Sequence, residues 1–344
     1  MQITEKVFGE TPEGETIFEY ILENGQLKLK IINYGAILVE LHTPDRNGKL
    51  EDIILGFDSL DGYINDDTYQ GATIGRFANR IKDGCFKIDD KEYKLAQNDG
   101  ENHLHGGIKA FNKVIWKAEK IEKEDSIGLE LSYFSKDGEE NYPGNLKSTV
   151  IYLIQDNTLN IYFKAFTDKT TPVNMSHHSY FNLNSAKNGN ILDHKIKINA
   201  NQYLPVNKNL IPTGAIKSVQ DTAMDFTELT RIRKQIKNMS GGYDHNWVLN
   251  KNNCELRLAA EVVATKSGRK MELSTTKPGL QFYSGNFLDG TMTGKYNIQY
   301  NKHQGLCLEP QFFPDSPNHP EFPFSFLRPN EIYEHSIRYR FSTI

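Results

Sequence analysis

Two histidines stand side by side near the middle of the chain, in Asn174-Met-Ser-His-His-Ser-Tyr-Phe-Asn-Leu183. Imidazole titrates nearest physiological pH, so it can both take and give a proton. Pro172 starts this stretch in extended geometry, and neighbouring side chains of a strand point to opposite faces. Only one of His177 and His178 can therefore face a given cavity. Four other stretches join polar groups to glycine or aromatic residues: Gly75-Arg-Phe-Ala-Asn-Arg-Ile81, Asn102-His-Leu-His-Gly-Gly107, Gly241-Gly-Tyr-Asp-His-Asn246 and Gly305-Leu-Cys-Leu-Glu-Pro-Gln311. Glu309 follows a short apolar run, at a predicted strand end. In a partly dry cavity, burial would raise its pKa towards neutrality and make it a useful base. His103 and His105, two apart, share a face if extended and could form a metal pair. A cupin-type site would want a Glu shortly afterwards, and none follows; the glycines suggest a sharp turn or close backbone approach. Arg, Asn, Asp, Gln and neutral His around an aromatic cleft suit a polyhydroxylated ligand. That points to carbohydrate, without separating a binding module from an enzyme.

The elements that must hold these groups read as strands. Leu27, Leu29 and Ile31 alternate with lysines, and the pattern recurs at Leu129, Leu131 and Tyr133, and at Leu159, Ile161, Phe163 and Ala165. It continues through Ile196 and Ile198, through Leu256, Leu258, Ala260, Val262 and Ala264, and through Ile337, Tyr339 and Phe341. Turn signals at Asp89-Asp90, Asp156-Asn157 and Lys266-Ser-Gly-Arg269 separate neighbouring runs, and strands joined so tightly must be antiparallel. The best helical signal begins at Thr227 as a cap, with Leu229, Ile232 and Ile236 on one face. Pro314–Pro329, studded with phenylalanines, suggests a packed irregular segment. The expected fold is all-β, one large antiparallel β-sandwich with long functional loops, as a single domain over 1–344.

Composition narrows the function classes. The chain has 344 residues, with 40 Lys and Arg against 44 Asp and Glu, a net charge of -4. That balance argues against a nucleic-acid surface, which needs clustered positive charge. No apolar run reaches membrane-spanning length, and the first ten residues lack a signal peptide's apolar core. Cys85, Cys254 and Cys307 are far apart, so neither a disulfide framework nor a structural zinc site is indicated. Gly71-Ala-Thr-Ile-Gly75 lacks dinucleotide-site spacing, and no phosphate-binding P-loop occurs. A cytoplasmic protein is expected, as monomer or homodimer.

In this order, Gly75-Arg-Phe-Ala-Asn-Arg-Ile81, Leu104-His-Gly-Gly107, Asn174 through Leu183, Tyr243-Asp-His-Asn246, Gly279-Leu-Gln-Phe-Tyr-Ser-Gly-Asn286 and Cys307-Leu-Glu309 resemble the aldose 1-epimerases, or galactose mutarotases. The similarity runs from about the first strand to the last. It implies a galactose mutarotase-like β-supersandwich with few short helices. The implied reaction interconverts the α and β anomers of free aldohexoses such as galactose and glucose, without cofactor or metal. Carried over by position, Glu309 is the base that takes the C1 hydroxyl proton and His178 the acid that protonates the ring oxygen. The implied starting state has Glu309 ionised and His178 protonated, and so a bell-shaped pH profile. Asn79, Arg80, His105, Asp244 and Gln281 match sugar-binding positions, and Ser179 and Tyr180 adjoin the acid as part of the wall. His177, His103 and His245 are expected in orienting or structural roles.

The chain departs from the pattern at Pro310, where many members have Thr, and at Leu306 and Met175. These bear on pocket shape rather than on reaction type. A hexose-6-phosphate epimerase on the same fold would need further cations at the C6 end, for which Arg76 and Lys109 are candidates. A silent sugar-binding protein would have no need of both Glu309 and His178. A glycoside hydrolase would want two carboxylates at defined separation, and only Glu309 and Asp244 are available in these motifs.

Overall fold

Period-2 alternation along the chain becomes three large antiparallel sheets in the computed structural model, which describes residues 1–250, 255–324 and 326–344. Cys254 lies outside the described residues. The largest sheet has nine strands. From the edge strand Lys117–Glu122 it runs through Ile127–Ser135, Leu146–Gln155 and Thr158–Thr167 to the C-terminal strand Tyr333–Thr343. It then passes through Arg269–Thr275, Arg257–Val263 and Lys195–Ile198 to Thr230–Arg231. The first five strands of the chain form a second sheet in simple sequence order. The third has the order Lys217–Ser218, Gln202–Leu204, Asp244–Val248, Gly279–Tyr283, Cys307–Gln311.

One apolar core joins all three. It holds Leu22, Leu29 and Ile31 of the second sheet, Leu131, Val150, Ile161 and Tyr339 of the nine-stranded sheet, and Trp247, Leu280 and Phe282 of the third. Each such side chain gains about 1.5–3 kcal/mol on burial, which fixes strand register because a one-residue slip would expose the whole set. The turns at Asp89-Asp90, Asp156-Asn157 and 266–268 all form as expected.

Two expectations fail locally. The helix predicted from Thr227 shrinks to Ile232–Ile236. Thr230 and Arg231 pair as a strand with Ile196 and Lys195, Thr227 bonds Asp225 instead of capping, and Leu229 is exposed. Strand pairing has taken the backbone that the helical pattern required. Along Arg257–Val263 the alternation breaks at a bulge between Leu258 and Ala260. Ala259 and Ala260 are both buried, and Leu256 and Leu258 face outwards, because a bulge shifts every later residue to the other face.

The proline-rich segment is packed and irregular, with Phe313 and Phe322 buried against Leu204. It also reaches the site. The Asp315 amide donates to the Arg80 carbonyl (2.7 Å), and its carboxylate accepts from the Lys82 amide (2.9 Å). Cys307–Gln311 is the outer strand of its sheet, a place where Pro310 is tolerated because no ladder bond is needed on the outer side. There the Pro310 carbonyl accepts from the Ser176 hydroxyl at 2.8 Å.

Candidate active site

The third sheet shows two unlike faces. Trp247, Leu280, Phe282 and Leu308 point into the core. The alternate residues are Asp244, Gln281, Tyr283, Cys307 and Glu309, and register places them side by side: Asp244 opposite Tyr283, Gln281 opposite Glu309, Tyr283 opposite Cys307. Glu309 therefore lies within its strand, not at the end of it. The Gln281 side-chain amide donates to Asp244 Oδ1 at 2.6 Å.

Three further segments close over this face. Ser176–His177 pairs with Thr73–Ile74, and the next residue, His178, donates its amide to Ala72 and accepts from Gly71. Alternation works as predicted: His177 turns away onto the Tyr152 ring (5.7 Å), and His178 Nε2 comes 3.7 Å from Glu309 Oε1. Arg80–Ile81 pairs with His103–Leu104. Arg80 Nε donates to Asp99 Oδ2 at 2.7 Å, and Nη1 lies 3.5 Å from Asp244 Oδ2. His105 has φ +53, so it breaks from the strand. His103 goes instead to the Ala96 carbonyl and the Tyr142 hydroxyl, both at 2.7 Å, and the two histidines never form a pair. The glycines after His105 allow this. A side chain on Gly106, at φ +95, would sit 1.9 Å from the Gly75 carbonyl oxygen.

The resulting cleft has a volume of about 840 Å³. Among its lining residues are Asn79, Arg80, His105, His178, Tyr180, Asp244 and Glu309. Ser179 and Gln281 are not among them. Ser179 is buried behind the wall, and Gln281 acts on the cleft through Asp244. Arg76 turns inward to Ser135 and Pro143, and neither it nor Lys109 reaches the cleft. Several lining residues carried no motif signal: Tyr69, whose ring lies 4.6 Å from that of His105, Asp99, and the residues Lys208, Leu210 and Phe287. Only Asp99 had a discoverable cue, as a carboxylate close in sequence to Arg80 and the Asn102 motif.

Burial governs the electrostatics. Glu309 is pushed well above the usual carboxylate range by desolvation and then by the nearby Asp244 charge, with Arg80 pulling the other way. Desolvation lowers His178 to about 4 and holds His105 well below the usual imidazole range. Arg80 stays firmly charged, since Asp244 and Asp99 outweigh its desolvation. These shifts run against the starting state expected from the sequence, Glu309 ionised and His178 protonated: burial favours the proton on Glu309 and the neutral ring of His178.

One ring nitrogen each of His105 and His178 and a Glu309 oxygen lie within 4.8 Å of one another. Two histidines and a carboxylate can be a metal donor set. The tautomer of His105 argues for another use. The Asn79 amide donates to its Nδ1 at 3.2 Å, so the neutral ring carries its proton on Nε2. That nitrogen is a hydrogen-bond donor, whereas a metal needs an unprotonated one. The assembled chemistry is a buried acid–base pair, a fixed guanidinium, a carboxylate held by two partners and neutral donors, all suited to hydroxyl groups.

Known proteins share this whole arrangement of strands. The aldose 1-epimerase family profile matches residues 19–340. Galactose mutarotase from Bos taurus is 46% identical over 344 residues, 99% of each chain. The Homo sapiens galactose mutarotase is 44% identical, covering 99% of this chain and 98% of its own. The aldose 1-epimerase of Escherichia coli K12 is 36% identical, over 96% of both chains. Among solved structures, galactose 1-epimerase from Lactobacillus acidophilus superposes with a TM-score of 0.88 at 28% identity, over 99% of each chain. An aldose epimerase homologue from C. elegans gives 0.87 at 30%, over 94% of this chain and 98% of its own. With a family profile over nearly its full length and relatives of this identity, the chain belongs to the aldose 1-epimerase family, isomerases that act on carbohydrates.

Proposed function

We propose that this protein interconverts the α and β anomers of free aldohexoses such as galactose and glucose, with Glu309 and His178 moving the protons. The observation that carries the proposal is the buried pair itself, His178 Nε2 and Glu309 Oε1 3.7 Å apart on the cleft wall. The hydroxyl and ring oxygens of a sugar's anomeric centre are bonded to the same carbon. An acid and a base this close can therefore serve both at once.

The reaction balances without cofactor. Glu309 takes the proton of the C1 hydroxyl, the C1–ring oxygen bond breaks with its electron pair on the ring oxygen, and His178 protonates that oxygen. The open aldehyde turns about C1–C2. The oxygen then attacks the other face of C1, returning its proton to His178, and Glu309 reprotonates the former carbonyl oxygen. Each positioned group contributes roughly 10²–10⁴-fold. Sugar binding also prepares the pair. Hydroxyl donors reaching Glu309 favour its ionised form, and His178 stands beside it to receive the displaced proton.

Arg80, Asp244, His105 and Asn79 orient the hydroxyls in this proposal, Tyr180 forms part of the wall, and Gln281 holds Asp244. Ser179 acts from behind the wall. The sugar-phosphate alternative fares worse. Asp67, Asp99, Glu101 and Asp244 line the cleft against Arg80 and Lys208, and Arg80 is already committed to two of those carboxylates. The chain acts as one domain over 1–344, supported by the shared core. It works in the cytoplasm as monomer or homodimer; the free thiols of Cys85 and Cys307 fit a reducing compartment. Among the described residues no helix is long and apolar enough to cross a membrane.

Polarimetry of freshly dissolved α-D-galactose or α-D-glucose tests the activity, and a rate no faster than the spontaneous one refutes it. Glucose 6-phosphate compared with glucose tests the substrate class. A higher kcat/KM for the phosphate would favour the alternative.

A further inference from the structure

We propose that Asn174 and Ser176 are positioning residues, whose side chains pair with the outer edge of the Glu309 strand and so set the register between His178 and Glu309. Cys307–Gln311 has a neighbouring strand of its sheet on one side only. Just before it, on the open side, the Phe181 and Leu306 backbones exchange hydrogen bonds of 2.7 and 2.9 Å in an antiparallel bridge. Beyond that bridge the bonds to the edge come from side chains. The Ser176 hydroxyl donates to the Pro310 carbonyl at 2.8 Å, and Pro310 has no N–H that would need a second partner. The Asn174 amide takes both backbone groups of Phe312: its Oδ1 accepts from the N–H at 2.9 Å, and its Nδ2 donates to the carbonyl at 3.4 Å. A carboxamide carries the same kinds of donor and acceptor as a peptide group. Asn174 thus stands in for one residue of a missing strand.

The pairing is antiparallel, 181 with 306, 176 with 310 and 174 with 312. Continued through the segment, that register sets position 178 opposite 308, between Cys307 and Glu309. His178 is found there, with Nδ1 3.6 Å from Cys307 Sγ and Nε2 3.7 Å from Glu309 Oε1. Asn174 also ties in the opposite wall, since Nδ2 donates to the Ala78 carbonyl at 3.2 Å, just before Asn79 and Arg80. Lys277 Nζ reaches Oδ1 at 3.3 Å. All four hydrogen-bonding positions of this fully buried amide are therefore used. Arg80 has independent anchors in Asp99, Asp244 and the Asp315 amide. Loss of the side-chain ladder should therefore move the base against the acid more than it disturbs sugar binding.

The packing explanation is that Asn174 and Ser176 only stabilise the fold. It predicts an unchanged rate per folded molecule well below the melting temperature, whereas the ladder predicts a lower kcat with KM nearly constant. Asn174→Asp keeps the acceptor and removes both donors. In polarimetry it should lower kcat about tenfold, and the double variant with Ser176→Ala about 10–100-fold, the order expected when reacting groups are displaced by up to about 1 Å. KM should stay within about threefold, the mark of an interaction that acts in the transition state. Ser176→Thr, which retains the hydroxyl, should keep the wild-type kcat. A folded double variant with wild-type kcat, or one whose loss lies in KM, overturns the proposal. Amide hydrogen exchange on wild type should show Phe312 as protected as Glu309, although it lies past the end of the strand. A Phe312 amide that exchanges like an open loop also overturns the proposal, and that result depends on no variant folding. The inference rests on His178 and Glu309 moving the protons. Absence of any mutarotation in wild type would sink that reading, while Phe312 exchange would still decide the ladder.

Discussion

Replacing Glu309 by Gln should make the enzyme slower and the fold more stable, and the two effects have different pH signatures. Gln matches Glu in size, and the second carboxylate oxygen of Glu309 is buried with no hydrogen-bond partner among the described residues. The substitution thus breaks little and removes a charge site that burial and Asp244 both oppose. Loss of the base should cost about 10²–10⁴ in kcat. For stability, the folded pKa of Glu309 lies well above the ordinary carboxylate value. A raised pKa gives stability that is complete below the unfolded pKa, about 4.3, and is lost as pH rises towards the folded pKa. Across that window the unfolded chain has released one proton that the folded chain retains. Wild type therefore loses about 1.4 kcal/mol per pH unit from this group, and the Gln variant does not. With unfolding entropy of about 2.1 cal/mol/K per residue, a chain of this length shifts by about 1–2 °C per kcal/mol. The melting-point advantage of the variant should grow by about 2 °C per pH unit above pH 5. Polarimetry and calorimetry on the same preparations read both effects. A variant within tenfold of the wild-type rate would show that Glu309 is not the base, and a melting-point difference that is flat with pH would show that it is not a buried carboxylate of raised pKa.

The active pair holds one proton. Activity should be lost on the acid side near pH 4, where His178 takes a second proton, and on the alkaline side where Glu309 gives up its own, leaving a broad plateau in kcat/KM against pH. A single limb at pH 6–7 would contradict this assignment. Arg80→Lys should lower kcat/KM about 10–100-fold, because an ammonium cannot bond Asp99 and Asp244 with the spread of a guanidinium; initial rates over a galactose series would detect its failure as an unchanged value. His177 is buried and held at about 3, so its stability contribution is present above its unfolded pKa of about 6.5 and lost as pH falls towards 3. His177→Gln should flatten the denaturation free energy by about 1.4 kcal/mol per pH unit between pH 6 and 4, and an unchanged slope in urea titrations would refute it.

Much of this architecture was legible because chemistry and periodicity coincide. In Cys307-Leu-Glu-Pro-Gln311 one alternate set faces the core and the other the cleft, and the same holds for Asp244–Val248 and Gly279–Tyr283. His178 could be preferred over His177 by the resemblance, and alternation then explained where His177 goes. What stayed hidden lies outside periodic sequence. Tyr69, Phe287 and the 208–210 rim enter the cleft through loops, whose course is set by tertiary packing. Ser179 is buried off the cleft lining, because adjacency to His178 says nothing about which side of the wall a residue occupies. The Thr227 helix and the Leu258 face failed for a shared reason: strand pairing and a one-residue bulge override local preference.

Pro310, on the outer strand beside the base, has a consequence in the unfolded chain. A residue that precedes proline is sterically steered away from helical backbone angles and towards extended ones. Glu309 is that residue. Before any sheet exists, its backbone is already biased towards the conformation it needs in Cys307–Gln311. Less conformational freedom remains to be lost at this position when the chain folds. A carboxylate that burial makes costly to place is thereby attached to a backbone already inclined to place it.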